Sequence, residues 1–279
     1  MISSRNYPSA PKLLPFLRRH YIFAAALPPD FELEDFLLAD NAFVRILIDG
    51  DWAWWDGDHW VELDGPLLFG TNAHAIKVRV RGPFSVASFA IRPSAWTSLF
   101  ETPATDFVDR IVPLAEGWGQ EAADALARGV RAATTDEACI AAMDAAVLAQ
   151  LDRIGRNEVD PVLASFEAIA RNDSTIRVDD AAQLLGLSPR QLERRCLAGF
   201  GLSPKSVLQR CRFLDMAAAI RGQSAAGEAE LAALRFFDQS HLNREFRRYT
   251  GMTPGAFQRA VTPLFDASLH LRVEGKQLA

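Results

Sequence analysis

The chain has 279 residues, of which 49% are hydrophobic, so it is long enough for two domains with packed cores. Its composition excludes a membrane-spanning helix, and its N-terminus lacks the pattern of a secretion signal. The three cysteines Cys139, Cys196 and Cys211 lack a CxxC spacing, which favours free thiols in a reducing cytoplasm. We therefore expect a cytoplasmic protein that does not bind a membrane.

The net charge of −5 is distributed unevenly. Residues 174–260 contain 13 basic and 8 acidic residues, whereas the rest of the chain contains 17 basic and 27 acidic residues. Because acidic surfaces repel phosphate, the basic segment is the part expected to approach a nucleic acid.

Short strands are predicted between Phe43 and Ile91. The signals Asp49-Gly50 and Asp56-Gly57 predict hairpins, and Gly82-Pro83 predicts a further turn. Residues 76–81 alternate between apolar and basic, so the apolar side chains are expected to face a core and the basic ones water. This pattern favours a small β-barrel or sandwich.

After Pro93 the hydrophobic period becomes helical, with Ala-rich segments at 120–131 and 135–154. Thr134 and Glu137 have the spacing of a capping box at the start of the second segment. Its apolar stripe is expected to pack on its own domain, with a dimer seam as the alternative. The polar residues 155–161 are the predicted linker.

The segment after the linker contains one pattern twice. A short apolar helix, a tight turn and an Arg-rich helix occur at 178–197 and again at 230–249. Both copies then read Gly-x-[Ser/Thr]-Pro, at 201–204 and 251–254. A single helix-turn-helix pattern is common in helical proteins, but two capped copies in the basic segment favour DNA binding.

The Arg-rich helices are predicted at 188–198 and 238–249, with Ser188 and Asp238 as N-caps and Leu192 facing inward. Outward Arg, Gln and Asn side chains suit base edges in the major groove. The candidate DNA-binding residues are Arg190, Glu193, Arg194, Arg195, Gln239, Ser240, Asn243, Arg244 and Arg247. A helix from Ser203 to Ile220 is expected to hold the two units rigidly, so that they read adjacent major grooves.

Residues 170–260 resemble the AraC/XylS family of bacterial transcription regulators. The motifs that carry the resemblance are Leu-Gly-Leu-Ser-Pro-Arg-Gln-Leu-Glu-Arg-Arg (185–195), Gly-Leu-Ser-Pro-Lys (201–205), Phe-Asp-Gln-Ser-His-Leu-Asn-Arg-Glu-Phe-Arg-Arg (237–248) and Gly-Met-Thr-Pro (251–254). The resemblance implies a seven-helix module with two helix-turn-helix units that acts at promoters, usually as an activator. It implies base contacts at Arg190, Glu193, Arg194, Gln239, Ser240, Asn243 and Arg244.

Three features depart from the family pattern. Arg235 stands where the second turn usually has Gly, and a non-Gly residue is strained at positive φ. Cys196 replaces an inward aromatic residue, and the stretch 222–230 is acidic where the family tends to be shorter.

An aromatic cluster is the most unusual feature of residues 1–155. It is interpreted either as a pocket for a small apolar or aromatic effector or as the filling of a small barrel. The candidate effector-binding residues are Trp52, Trp54, Trp60, Phe69, His74 and Arg92. Arg92 is expected to pair either with an effector carboxylate or with an acidic neighbour within the same domain.

These signals predict an α+β protein with a barrel-like or sandwich-like sensor and dimerisation domain at 1–155. An all-α DNA-binding domain with two helix-turn-helix units follows at 162–262, and 263–279 is a C-terminal tail. The expected function is sequence-specific regulation of transcription, modulated by a small effector. The expected partners are double-stranded promoter or operator DNA, RNA polymerase and a second copy of the chain.

We expect no enzymatic activity, no cofactor and no metal. One alternative is a metal-dependent barrel enzyme, for which the strand region offers only His59 and His74. The other alternative is a protein-interaction adaptor whose Arg-rich helices bind an acidic partner.

Overall fold

The computed structural model of the chain describes residues 2–223 and 239–277. Its N-terminal half contains the strands β1 (Ile2–Tyr7), β2 (Leu17–Ala25), β3 (Glu32–Leu37), β4 (Phe43–Trp55), β5 (Trp60–Val61), β6 (Pro66–Phe69), β7 (Ile76–Ile91) and β8 (Ile111–Pro113). They form one antiparallel sheet in the order β1-β2-β7-β4-β6-β8, with β3 also pairing with β7 and β5 with β4. The predicted α+β class is confirmed.

Strands β4 and β7 run through two of the predicted turns. The predictions of turns at Asp49-Gly50 and Gly82-Pro83 are wrong. Strand β4 pairs with β7 on both sides of these positions, with register shifts around Asp49. Gly50 has a φ of +87°, and a Cβ there would lie 2.1 Å from the carbonyl oxygen of Pro83. The glycine therefore permits a bulge at a close backbone approach and not a chain reversal. The turn at Asp56-Gly57 is confirmed, since β4 and β5 pair across it.

The helices are α1 (Trp96–Leu99), α2 (Ala115–Trp118), α3 (Gln120–Ala132), α4 (Asp136–Ile154), α5 (Pro161–Asn172), α6 (Val178–Leu184), α7 (Pro189–Phe200), α8 (Pro204–Ile220), α9 (Gln239–Thr250), α10 (Pro254–Arg259) and α11 (Pro263–Gln277). The capping box predicted from Thr134 and Glu137 is wrong, because the N-cap of α4 is Thr135. Thr135 has the extended cap conformation, and its side chain accepts a hydrogen bond from Ala138 N at 3.2 Å. No helix in the described part of the chain is long and apolar enough to cross a bilayer.

The sheet has a hydrophobic layer on each face. Val44 and Ala87 pack on one face with α3 and α4, and their neighbours Phe43 and Val86 belong to a second cluster on the other face. This alternation follows from the period of two along a strand. The apolar stripe of α4 is part of the first cluster, so it packs on its own domain as predicted.

The N-terminal half is bonded closely to the helices that follow it. Residues 155–160, in the predicted linker, lie against the segment after β7, where Asp160 N donates to the carbonyl of Ser94 at 2.8 Å. Arg210 on α8 is 3% exposed, and its guanidinium donates to the carbonyl of Asp40 at 2.9 Å and to the side chain of Asn41. The two halves therefore share buried polar contacts and are not joined by a loose tether.

Helix α7 meets the N-terminal half at Gly199. A Cβ at this position would lie 2.4 Å from the carbonyl oxygen of Pro93 and 2.5 Å from Cδ1 of Leu163. We expect Gly199→Ala to lower the free energy of unfolding by about 1–3 kcal/mol, because the added methyl group forces the two surfaces apart. Urea denaturation at equilibrium measures the change.

Gly255→Ala is the matched control, since the nearest atom to its Cβ is the end of the Arg259 side chain at 3.6 Å. Alanine is the better helix former, so this variant is expected to be neutral or stabilising by up to about 1 kcal/mol. Equal unfolding free energies for the two variants would contradict the tight junction.

Three parts of the predicted second unit lie outside the described residues: its first helix, the turn with Arg235 and the cap Asp238. Most of the acidic stretch at 222–230 also lies outside them. Residues 263–277, in the segment predicted as a C-terminal tail, form α11, which packs against β3 and α8.

Candidate nucleic-acid interface and ligand cleft

The start of α7 is stabilised by the predicted capping box. The Ser188 hydroxyl accepts from Gln191 N at 3.3 Å, and Ser188 N donates to the Gln191 side chain at 2.8 Å. Pro189 occupies the first helical position, where no N–H donor is needed. The remaining free N–H groups of the first turn point away from the helix and favour an anion such as a phosphate.

Helix α7 has one buried and one exposed face. Leu192 and Cys196 are fully buried, and burial raises the pKa of the Cys196 thiol, so this residue acts as a small core side chain. Arg190, Glu193 and Arg194 are exposed together on the opposite side. Three of the predicted DNA-binding residues are thus brought onto one accessible surface.

Arg195 lies at the edge of this surface and is half-buried. Its Nη1 forms an ion pair with Asp160 at 2.6 Å, and the same carboxylate accepts from Val162 N at 2.9 Å as the N-cap of α5. The guanidinium therefore ties α7 to α5 in this structure.

Helix α9 repeats the two-faced arrangement. Phe246 and Tyr249 are buried, Arg244 and Arg247 are exposed, and Asn243 is half-buried. The backbone of Gln239 and Ser240 belongs to the helix, but their side chains lie outside the described residues.

Both helices end with the same geometry. Gly201 and Gly251 have φ values of 71° and 72°, the left-handed conformation that glycine adopts without strain. Two residues later Ser203 caps α8 by accepting from Ser206 N, and Thr253 caps α10 by accepting from Ala256 N, each at 3.2 Å. The repeat read from the sequence is therefore a repeat in structure at the exits of α7 and α9.

Comparison with known families identifies this part of the chain. The sequence model of a family described as a helix-turn-helix domain matches residues 181–260. Residues 181–260 form an AraC-type helix-turn-helix domain. The match includes α7, α8, α9 and α10, and it ends before α11.

Among solved structures, the chain is similar to ToxT from Vibrio cholerae with a bound unsaturated fatty acid. The identity is 12% over 87% of this chain and 97% of that chain, with a TM-score of 0.45. ToxT from Vibrio cholerae O395 is 12% identical over 86% of this chain and 96% of that chain, with a TM-score of 0.46. The AraC-like transcriptional activator CuxR is 12% identical over 84% of this chain and 90% of that chain, with a TM-score of 0.26. A search of curated proteins found no match.

A cleft lies between the second face of the sheet and α11, next to the AraC-type domain. Its empty volume, including the part open to solvent, is about 900 Å³. The lining residues are Arg18, Arg19, Tyr21, Phe23, Leu37, Leu38, Asp40, Asn41, Phe43, Arg45, Trp52, Val78, Val80, Phe84, Val86, Ala90, Ile91, Leu264, Ala267 and Ser268. Most of the wall is apolar, and three arginines are the basic residues in it.

Arg45 is the most deeply buried of these arginines, with 8% of its surface exposed. Its guanidinium carbon lies 5.2 Å from the ring centres of Phe43 and Phe69, and Nη2 donates a long hydrogen bond of 3.5 Å to the hydroxyl of Tyr21. Among the described residues, no carboxylate oxygen lies within 4.0 Å of Arg45, and its Nε donates no hydrogen bond. By contrast, Arg18 is paired with Glu167.

Three of the six predicted effector-binding residues pack together, and the other three lie apart from them. Trp52 lines the cleft. The ring centres of Trp54 and Phe69 each lie 5.5 Å from that of Trp52, and neither residue belongs to the lining. Trp60 lies at the surface beneath Lys77 and Arg79. His74 is exposed, 3.5 Å from Asp109. Arg92 lies 3.7 Å from Glu167, an acidic residue of α5 and not of the domain 1–155 in which its partner was expected.

Sequence reasoning missed Arg45 and the wall formed by α11. A signal for Arg45 was present, since it interrupts the apolar run of residues 43–48 in a predicted strand. A charged side chain in such a run is either buried with compensation or marks a site. The described residues contain no group of three His, Cys, Asp or Glu side chains placed to hold a metal ion.

Proposed function

We propose that this chain is a sequence-specific regulator of transcription that binds double-stranded DNA through α7 and α9. The observation that supports this best is the AraC-type domain, in which both helices present exposed arginines and end in the same capped exit. Arg pairs with guanine and Asn with adenine in the major groove, so Arg194 and Asn243 are the assigned base contacts. Helix α8 lies between α7 and α9 in the chain and, as the rigid connection, sets their separation on the duplex.

The assigned base contacts are tested with a duplex selected by the full chain from a random-sequence library. Arg194→Ala and Asn243→Ala are each expected to relax the preference at one base pair and to cost about 1–3 kcal/mol of binding free energy. Binding isotherms with the selected duplex and its single-base variants measure both effects. Arg128→Ala, which removes an exposed arginine from α3, is the control and should change neither. Unaltered base preference in both helix variants would refute the assignment of these faces.

Arg247 is assigned to the phosphate backbone. Its replacement by alanine is expected to weaken binding to all sequences about equally and to lower the slope of log affinity against log salt by about one. Titrations at several salt concentrations measure the slope. A loss of affinity confined to one DNA sequence would contradict this role. If the DNA affinity of the unmodified chain does not depend steeply on salt, the adaptor alternative is favoured.

The cleft is the proposed site of a small effector. Its wall combines apolar side chains with a few polar groups, the usual composition of small-molecule sites. A buried cation without a compensating anion costs several kcal/mol, so the guanidinium of Arg45 is expected to recruit an anionic group from the ligand. The surrounding apolar wall accepts a hydrocarbon or aromatic body. We therefore propose an effector that combines a carboxylate with an apolar body.

RNA polymerase and a second copy of the chain remain predicted partners.

A further inference from the structure

Helix α11 forms part of the cleft and part of the helical core at the same time. Leu264, Ala267 and Ser268 line the cleft, and their spacing of three and four residues places them on one face of the helix. Phe265 and Leu269 lie four residues apart on another face and are at most 1% exposed. They belong to the cluster that also contains the buried side chains of α8, α9 and α10. A movement of α11 therefore changes both the wall of the cleft and the packing of the helical core.

A chain of aromatic rings connects α11 to α9. The ring of Phe265 lies 5.2 Å from that of Phe257 on α10, and Phe257 lies 5.5 Å from Phe246 on α9. All three side chains are at most 1% exposed. Because close-packed side chains have little free space to absorb a displacement, these rings have to move together.

The N-terminal end of α11 is held by the sheet. Asp35 on β3 is 2% exposed, and its carboxylate accepts a hydrogen bond from Leu264 N at 2.6 Å. Arg221, just after α8, lies 2.9 Å from Asp266 and donates to the hydroxyl of Thr262. The helix is thus fixed at one end, next to the residues that line the cleft.

Helix α7 is positioned by other contacts. It packs against the segments at 93–107 through Gly199 and Gly201, and Arg195 ties it to α5. Among the described residues, the lining of the cleft includes no side chain of α7 or α9. An occupant of the cleft therefore meets α11, which is linked to α9 through Phe257 of α10, and does not meet α7.

We propose that α11, which lies outside the AraC-type domain, transmits the occupancy of the cleft to α9 and leaves α7 unaffected. This inference rests on the proposed effector site. A ligand body that reaches Leu264 and Ala267 shifts the helix, since packed helices move between discrete arrangements as rigid units. The shift passes through Phe265 and Phe257 to α9, so the ligand changes how only the second helix meets DNA.

The test uses decanoate as the probe and the full chain with its selected duplex. Saturating decanoate is expected to change the dissociation constant for DNA by at least about fivefold. Hydrogen exchange should change in residues 243–259 and stay constant in residues 189–200. Leu269→Ala, which does not line the cleft, should retain decanoate binding by calorimetry and lose the effect of decanoate on DNA binding.

Leu126→Ala is the matched control, because Leu126 on α3 is 1% exposed and belongs to the first cluster, which contains no described side chain of α11. It should retain the full effect of decanoate, and thermal unfolding checks that both variants are folded. A folded Leu269→Ala variant that keeps the effect would overturn the inference.

The failure of the effector proposal gives a different result, namely no decanoate binding by the unmodified chain. The inference is then decided by Ala267→Phe, which fills the cleft from the side of α11 without any ligand. This variant is expected to change exchange in residues 243–259 and the affinity for DNA, and adding Leu269→Ala should cancel both changes. If Ala267→Phe leaves α9 and DNA affinity unchanged, α11 does not transmit occupancy.

Discussion

Arg45→Met is expected to weaken the binding of decanoate by about 2–5 kcal/mol, which is roughly 30-fold to several thousand-fold in the dissociation constant. The carboxylate of the ligand loses a buried arginine for which no acidic partner lies within ion-pair distance among the described residues. Methionine keeps most of the side-chain volume, so the apolar wall of the cleft is preserved. Isothermal titration calorimetry measures the loss.

The same variant is expected to be at least as stable as the parent in the absence of ligand. Replacing a buried charge by an apolar side chain of similar size is often neutral or stabilising, because the charge no longer has to be desolvated. The ring contacts with Phe43 and Phe69 limit the gain, since each stabilises a cation to a small extent. Urea denaturation of the free protein measures this second effect.

Arg92→Met is the matched control. Arg92 belongs to the residues predicted for effector binding, but it lies outside the lining of the cleft and is close to Glu167. We expect this variant to bind decanoate normally. A result in which Arg92→Met loses the ligand and Arg45→Met keeps it would refute the assignment of the cleft.

Asp35 is expected to make folding more favourable at mildly acidic pH. Burial is the main cause that raises the pKa of its carboxyl from 3.8 to about 6, with the charge of Asp266 as a smaller cause. Hydrogen bonds from Phe36, Leu264 and Phe265 act in the opposite direction and are outweighed. Arg221 faces Asp266 from the end of α8 and partly offsets its charge.

A carboxyl with a higher pKa in the folded state binds its proton more tightly there. Its contribution to stability is therefore fully present below about pH 4 and is lost as the pH rises through about 6. The difference in pKa corresponds to at most about 3 kcal/mol. We expect the free energy of unfolding of the parent, relative to Asp35→Asn, to increase by up to this amount from pH 7 to pH 4.

Asparagine cannot titrate and has nearly the same shape, so the comparison cancels most other ionisations. The loss of one acceptor in Asp35→Asn gives an offset that does not depend on pH. Urea denaturation of both proteins at four pH values measures the difference. If the difference in unfolding free energy between the two proteins stays constant, or decreases toward low pH, burial does not raise the pKa of the Asp35 carboxyl.

Local signals were sufficient to predict the start of α7, its inner face and the exits of α7 and α9. Ser188, Pro189 and Gln191 define the start of α7 through bonds within four residues, and Gly201 and Gly251 define the exits through their own backbone conformation. The inward position of Leu192 follows from the helical period alone. Such features depend on neighbours in the chain, and a sequence displays those neighbours directly.

The same kind of reasoning failed where a local signal competed with long-range pairing. Asp49-Gly50 has the composition of a hairpin, but β4 continues through it because β7 supplies partners along its whole length. Likewise, the tryptophans were interpreted either as a pocket or as core filling, and the structure divides them: Trp52 lines the cleft, Trp54 packs on Trp52 outside the lining, and Trp60 lies under Lys77 and Arg79. Sheet register decided both outcomes, and register depends on residues that are distant in sequence.

The amino-acid order thus specified the caps, the helix faces, the repeat and the alternation along β7. The tertiary structure alone placed Arg45 among aromatic rings, with no carboxylate of the described residues within 4.0 Å, and brought α11 to the sheet. The cleft between them is formed by residues from 18 to 268, more than two hundred positions apart. Burial and the pairing of charges are properties of the surroundings in space, so they become defined only when the distant segments have packed together.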